Sequence, residues 1–264
     1  SYHQFVTIQN LATLETPIQR KSHKSAGPDQ TKPIIQKKLS ITLSPILKHL
    51  FQKSLDLGTL PPIWKDANVA PVYKKGERSN PANYKLISLT CILCKTLEHI
   101  VASSITKHLT KLNIFYELQH GFREKRSCES QLHMLVDDLF KSVYMKKETD
   151  IILLDFSKAF DKVSHEKLAL KLHDYGIRGS VLNDNCHQSV IVNGSSSDHI
   201  PVSSGVPQGF VLGPLLNLIY INDLPMNIKS KVRLLADETA LYLSISTSSQ
   251  SEILDVSTRH LCQM

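Results

Sequence analysis

Three acidic residues, Asp155, Asp237 and Glu238, each follow an apolar run: Ile151-Ile-Leu-Leu-Asp155 and Val232-Arg-Leu-Leu-Ala-Asp-Glu238. Carboxylates delivered at strand ends are what a hard divalent cation requires. Mg²⁺ prefers oxygen ligands and keeps positions open for phosphate. A pair of such ions activates a hydroxyl and stabilises the leaving oxygens of a phosphoryl displacement. Convergence of these three side chains on one point would therefore serve nucleotidyl transfer. An aspartate at the end of one strand is weak evidence alone, because such residues often cap a helix or line a loop. Two acidic strand ends with a Gly-Gln loop between them in the chain make a far more restricted arrangement.

The elements that would position these groups can be read from periodicity. Ile151–Leu154 is a continuous apolar run, as expected of a strand covered on both faces. A helix should open near Ser164, and Val190–Val192 reads as a strand before the turn Asn193-Gly194. Val206-Pro-Gln-Gly209 forms a loop before a helix over Leu215–Asn222. Val232–Ala236 and Thr239–Leu243 form a hairpin with Asp237-Glu238 at its tip. A further helix is expected near Ile253, after the serine-rich run 244–251. In the first half, helices are expected over Leu39–Leu57, Leu93–Leu112 and Ser130–Tyr144. The first stops before Gly58. Val69–Tyr73 and Tyr84–Leu89 read as a two-stranded ribbon around Lys74-Lys75-Gly76-Glu77.

Composition narrows the class. The 264 residues are 41% apolar and 21% charged, which fits a folded protein with a sizeable core. Residues 1–150 hold 22 Lys/Arg against 13 Asp/Glu, whereas residues 151–264 hold 9 against 11. A basic first half beside a mildly acidic second half suits a polyanion held next to a metal-binding floor, although lysines that merely keep the first half solvated read the same way. The five cysteines are odd in number and scattered, which argues against a disulfide framework. Cys91 and Cys94 lie in an apolar run without a second pair, so they read as small buried residues rather than zinc ligands. No signal peptide or membrane span is evident, and a reducing compartment, nucleus or cytoplasm, is expected.

Several blocks in order carry a family resemblance: Gly27-Pro-Asp29, Pro61-Pro-Ile-Trp-Lys65, Asn83-Tyr-Lys-Leu-Ile-Ser-Leu89, Gln119-His-Gly-Phe-Arg-Glu-Lys-Arg-Ser127, Asp155–Asp161, Ser204-Gly-Val-Pro-Gln-Gly209 and Ala236-Asp-Glu238. Through them, residues 24–264 resemble the reverse transcriptases of non-LTR (LINE-type, jockey/CR1-like) retrotransposons. The resemblance implies an α+β right-hand polymerase whose antiparallel palm sheet is backed by helices. Residues 1–23 would be a loosely attached segment, 24–150 fingers and 151–264 an incomplete palm, with the thumb absent. The implied reaction is RNA-directed DNA synthesis with two Mg²⁺ ions (Mn²⁺ as a substitute), an RNA template, a DNA primer and dNTPs. Asp155 and Asp237 would ligate metal with the backbone carbonyl of Phe156, and Glu238 would be the third catalytic acid. Phe160 would be the steric gate against a 2′-hydroxyl, and Gln208 and Gly209 the floor under the incoming nucleotide. Lys74, Lys85 and Arg123 would grip triphosphate or template backbone; Arg126 is an alternative contact to template.

The chain also departs from the family pattern. Glu238 replaces an aspartate, adding one methylene, and Lys85-Leu86 replaces Arg-Pro, losing a bidentate phosphate fork. Phe210 stands where serine is usual, and Asn217 puts an amide on an apolar helix face. The stretch 179–190 is short by roughly ten residues, about 15 Å of helix. These departures, with the chain ending at Met264, imply a truncated and degenerate copy of weak or lost activity. The alternative is a non-catalytic nucleic-acid-binding remnant using its basic first half.

Overall fold

The computed structural model describes residues 25–177, 186–192, 194–226, 228–245, 253 and 256–258. The segment 1–23, most of 179–190, Asn193 and most of the region after 245 lie outside the described residues, while Ile253 and residues 256–258 are helical, as expected near Ile253. The chain forms two compact units, each built from two stretches: residues 1–109 with 160–213, and 110–159 with 214–264. Both mix helices and strands, so the class is α+β. Among the described residues no helix is long and apolar enough to cross a membrane.

The first unit opens with helices α1 (Pro33–Lys38), α2 (Ser40–Leu57) and the single turn α3 (Pro62–Lys65). The Phe51 ring of α2 meets Trp64 edge-on at 5.7 Å, so the Pro61-Pro62 break turns the chain back onto the helix it has just left. Strand β1 (Asp66–Tyr73) pairs antiparallel with β2 (Tyr84–Leu89), from Asn68↔Leu89 to Tyr73↔Tyr84. This is the ribbon expected from the sequence. Most of helix α4 (Ile92–Lys111) belongs to this unit, and it buries Cys94, Leu97, Val101, Ile105 and Leu109. Cys91, just before it, is also buried.

Helix α5 (Cys128–Tyr144) belongs to the second unit and is opened by a reciprocal cap. Ser127 Oγ accepts the Ser130 amide at 3.1 Å, and Ser130 Oγ accepts the Ser127 amide at 3.0 Å. Strand β3 (Glu148–Asp155) follows, and the chain then returns to the first unit. There, helix α6 (His165–Asp174) is capped by Ser164, as expected. Strand β4 (His187–Val192) joins β1 in parallel, and the short β5 (Ser195–Ser196) and β6 (Ile200–Pro201) pair with β4.

Helix α7 (Leu212–Ile221) leads into the rest of the second unit, whose sheet has the order β3-β8-β7 with β7 Lys231–Leu235 and β8 Glu238–Ile245. Leu224, Val232, Leu234 and Leu241 form its core, packed by Tyr116, Ile152, Leu154 and Phe156. Strand β3 is not covered on both faces as expected. An antiparallel sheet commonly has one face packed and one solvated, and here Leu153 is 75% exposed while Ile152 and Leu154 pack inward.

Two polar groups inside the fold have opposite characters. Arg233 on β7 is only 2% exposed, yet its guanidinium donates to Tyr242 Oη at 2.6 Å and to Asp138 at 2.5 Å. Lys231 adds a bond to the same carboxylate at 2.7 Å, and Tyr242 Oη donates to it as well. Burial alone would raise the Asp138 pKa, but the bonds from Arg233, Lys231 and Tyr242 outweigh it and hold the carboxyl far below the usual aspartate range. Asn217 is fully buried, and neither amide atom has a partner among the described residues. The sequence-based concern over an amide on this helix face is therefore justified.

Two measurements check these readings. Replacing Asn217 with leucine is expected to stabilise the fold by about 1–3 kcal/mol, the cost of an unsatisfied buried polar group. It should raise the thermal midpoint by a few degrees. Asp138→Asn should cost about 3 kcal/mol at neutral pH, the lower end of the range for breaking a buried ion pair. Because the folded pKa of Asp138 is depressed, its contribution is complete above the unfolded aspartate range. It is lost on acidification below about pH 4, as the unfolded chain takes up the proton first. Urea titrations from pH 7 to 3 should show that acid-side loss in the parent chain and a shallower one in Asp138→Asn.

Candidate functional site

The register of the second unit's sheet decides what the acidic residues can do. Asp155, the last residue of β3, lies directly opposite Glu238, the first residue of β8. Directly opposed residues in an antiparallel pair place their Cβ atoms about 4.5–5.5 Å apart, and like charges there repel. Asp237 occupies the two-residue turn between β7 and β8, and its carbonyl receives the Phe156 amide at 3.5 Å. Asp155 and Glu238 are exposed and Asp237 is half-buried. Among the described residues no basic side chain pairs with any of the three.

The donor set therefore fits a hard cation in its chemistry: carboxylate oxygens, uncompensated charge, and a repelling pair that a cation would relieve. The geometry departs from the expected three-way convergence. Among the described residues no group of three or more His, Cys, Asp or Glu side chains stands as a formed metal site. The ladder pairs Glu238, not Asp237, with Asp155, leaving Asp237 in the turn. The Phe156 carbonyl already accepts the Ala159 amide at 3.2 Å.

Most of the other expected site residues belong to the first unit. Lys74 and Lys85 are both exposed on the β1–β2 ribbon. Lys85 pairs with Val72, and the Lys74 amide donates to the Asn83 carbonyl at 2.9 Å. The Gln208-Gly209 loop is docked on the same ribbon, where Gln208 accepts the Ser88 amide at 2.7 Å. Gly209 has φ 113°, and a Cβ there would stand 2.2 Å from the Ser88 carbonyl oxygen, so no other residue fits without movement. Phe160 is tied to this loop's start, its carbonyl accepting the Val206 amide at 2.8 Å. The first unit thus ties Phe160 to Val206 and Gln208 to Ser88 by backbone bonds, with Gly209 packed against Ser88.

Arg123 lies in the second unit and is committed to its own chain. It donates to the Tyr116 carbonyl at 3.2 Å and stacks over Phe115 at 4.7 Å. Arg126 likewise bonds the carbonyls of Glu117 and Gln119.

The sequence reading missed several supporting residues. Glu98 is buried and accepts the amides of Val211 at 2.5 Å and Leu212 at 3.1 Å, capping α7 just beyond the Gln208-Gly209 loop. Burial pushes its pKa up against those two bonds. Its signal was a lone carboxylate among the inward positions Cys94, Leu97 and Val101 of α4. Asp138 and Arg233 were visible only as ordinary charges, because their partners lie about 95 residues apart in the chain.

Comparison with known proteins places this arrangement. A family model described as reverse transcriptase (RNA-dependent DNA polymerase) matches residues 72–261. A probable RNA-directed DNA polymerase from transposon BS of Drosophila melanogaster is 29% identical over 255 residues, covering 85% of this chain and 28% of that protein. The RNA-directed DNA polymerase from mobile element jockey of the same species is 31% identical over 192 residues, covering 68% of this chain and 20% of its own length. The chain thus spans less than a third of these curated relatives. An apo telomerase from Candida tropicalis, truncated from its C-terminal domain, matches in fold with a TM-score of 0.54 at 10% identity, covering 86% of this chain and 52% of that one. With the family model matching well over half its length, the chain belongs to the reverse transcriptase family and is a reverse transcriptase domain of the non-LTR retrotransposon kind.

Proposed function

We propose that the chain carries the nucleotidyl-transfer part of an RNA-directed DNA polymerase, extending a DNA primer along an RNA template with dNTPs. The observation that supports this best is the pairing of Asp155 with Glu238 beside the turn that holds Asp237. In this reading residues 24–150 supply fingers and 151–264 palm. Asp155 and Asp237, with the Phe156 carbonyl, hold Mg²⁺. The chemistry such an ion would supply there is Lewis-acid activation of the primer 3′-hydroxyl and neutralisation of charge on the departing pyrophosphate. Glu238, the third catalytic acid, adds negative charge opposite Asp155. Lys74 and Lys85 meet triphosphate oxygens as point charges from the exposed ribbon. Arg123 adds to the field near template while its guanidinium stays anchored. The Phe160 ring closes the space a 2′-hydroxyl would need, and the Gln208-Gly209 backbone forms a flat floor under the base.

The extra methylene of Glu238 displaces its oxygens by about 1 Å, an offset of the size that lowers rate up to about 10²-fold. This favours a second reading, a nucleic-acid-binding remnant that works through its exposed ribbon of Lys74, Lys75, Arg78 and Lys85.

Primer extension on poly(rA)·oligo(dT) with Mg²⁺ and then Mn²⁺ tests the first reading. Weak incorporation is expected, abolished by Asp155→Ala and raised by Glu238→Asp. Incorporation untouched by Asp155→Ala, or none in any variant, would overturn it. RNA binding should in either case weaken with salt. Neutralising Lys74 and Lys85 together should reduce the log–log salt slope by about 1.4 for two lost contacts to a single strand. An unchanged slope would remove the ribbon from the interface.

A further inference from the structure

The turn that presents Asp237 and Glu238 is held from outside by a segment that no role has yet been given. Ala236, its first residue, has φ 57°, a left-handed conformation that a two-residue hairpin turn normally assigns to glycine or asparagine. A β-carbon in that region is unfavourable and persists where surrounding structure fixes it. Residues 118–121 supply such a fixture. The Leu234 amide donates to the Leu118 carbonyl at 3.1 Å, and the His120 amide donates to the Leu234 carbonyl at 2.8 Å, so the segment lies along β7 as a parallel bridge. Gln119 is 2% exposed. Its Oε1 accepts two amides, Gly121 at 2.7 Å and Ala236 at 3.1 Å. Gly121 then abuts the turn so closely that a Cβ would stand 2.2 Å from the Ala236 nitrogen.

We infer that Gln119 is a positioning residue that locks the Ala236-Asp237 turn, with Gly121 as the stop against which the turn rests. In an ordinary two-residue hairpin the Ala236 amide would face water and leave the turn free to relax. Here one buried oxygen joins it to the neighbouring segment. The cost is visible at the other end of the side chain, since Gln119 Nε2 is buried and has no partner among the described residues. An amide kept in that position for packing alone would be better replaced by hydrocarbon. The placement of Asp237 and the Glu238–Asp155 pair thus depends on an oxygen that is itself neither a ligand nor an acid. The inference rests on the carboxylate reading above, and its test separates the two.

Amide hydrogen exchange by NMR and Mn²⁺ titration followed by electron paramagnetic resonance are read on the full chain. Gln119→Leu keeps the volume and removes the acceptor. Gln119→Asn withdraws the oxygen by one methylene and serves where the leucine variant fails to fold. Gln119→Glu keeps an oxygen in place. Loss of one bond of ordinary strength should speed Ala236 exchange about fivefold to tenfold and weaken Mn²⁺ binding by a similar factor in the leucine and asparagine variants. Gln119→Glu should restore protection at Ala236. Unchanged exchange at Ala236 in both truncating variants would overturn the inference. So would unchanged Mn²⁺ affinity in them while Asp155→Asn abolishes binding. Should Asp155→Asn leave Mn²⁺ binding intact, the carboxylate reading fails, and exchange at Ala236 alone decides whether Gln119 locks the turn.

Discussion

The pairing register of β3 with β8 governs nearly everything of consequence in the second unit. It runs unbroken from Glu148↔Ile245 to Asp155↔Glu238. A slip of β3 by one residue would carry Ile152 and Leu154 out of the core and send Asp155 to the opposite face. The register is therefore fixed by apolar burial, and the carboxylates inherit their positions from it. The Arg233–Asp138–Tyr242 group reinforces this from beneath, tying β7 and β8 to α5 through a single shared carboxylate. Charge at the working end of the sheet is placed by packing at its middle.

Local patterning revealed most of the elements. The β1–β2 ribbon, α2, α4, α5 and the acid-tipped hairpin follow from periodicity and turn residues within a few positions of the chain. The reading failed where the deciding neighbour was remote. Ile151–Leu154 has the composition of a doubly covered strand, and nothing within it signals that β3 would sit outermost with Leu153 in solvent. Gln119 looked like one member of a basic block, because its partner Ala236 lies 117 residues away. Asp155, Asp237 and Glu238 were legible as a group, but not that the ladder would oppose Asp155 to Glu238 and leave Asp237 in the turn.

Three substitutions relative to the family pattern have different physical weights in this fold. Lys85 sits on an exposed strand, where a point charge still attracts phosphate without the fork geometry of guanidinium. Glu238 keeps its charge and ladder position but extends its oxygens. Asn217 acts on the fold rather than on chemistry, since it leaves two buried polar atoms without partners among the described residues. In the proposed function the first two bear on how a polyanion or a cation would be held, and the third lowers the stability of the fold itself.

The interleaving of the two compact units bears on how the chain is made. Residues 110–159 emerge from the ribosome before the first unit has its second half, and must wait for 214–264 to complete their own sheet. Neither unit can close co-translationally as an uninterrupted stretch, whereas ordinary domains are finished in order from the amino end. A frameshift or stop falling between residues 159 and 214 would therefore leave residues 110–159 without the strands that complete their sheet.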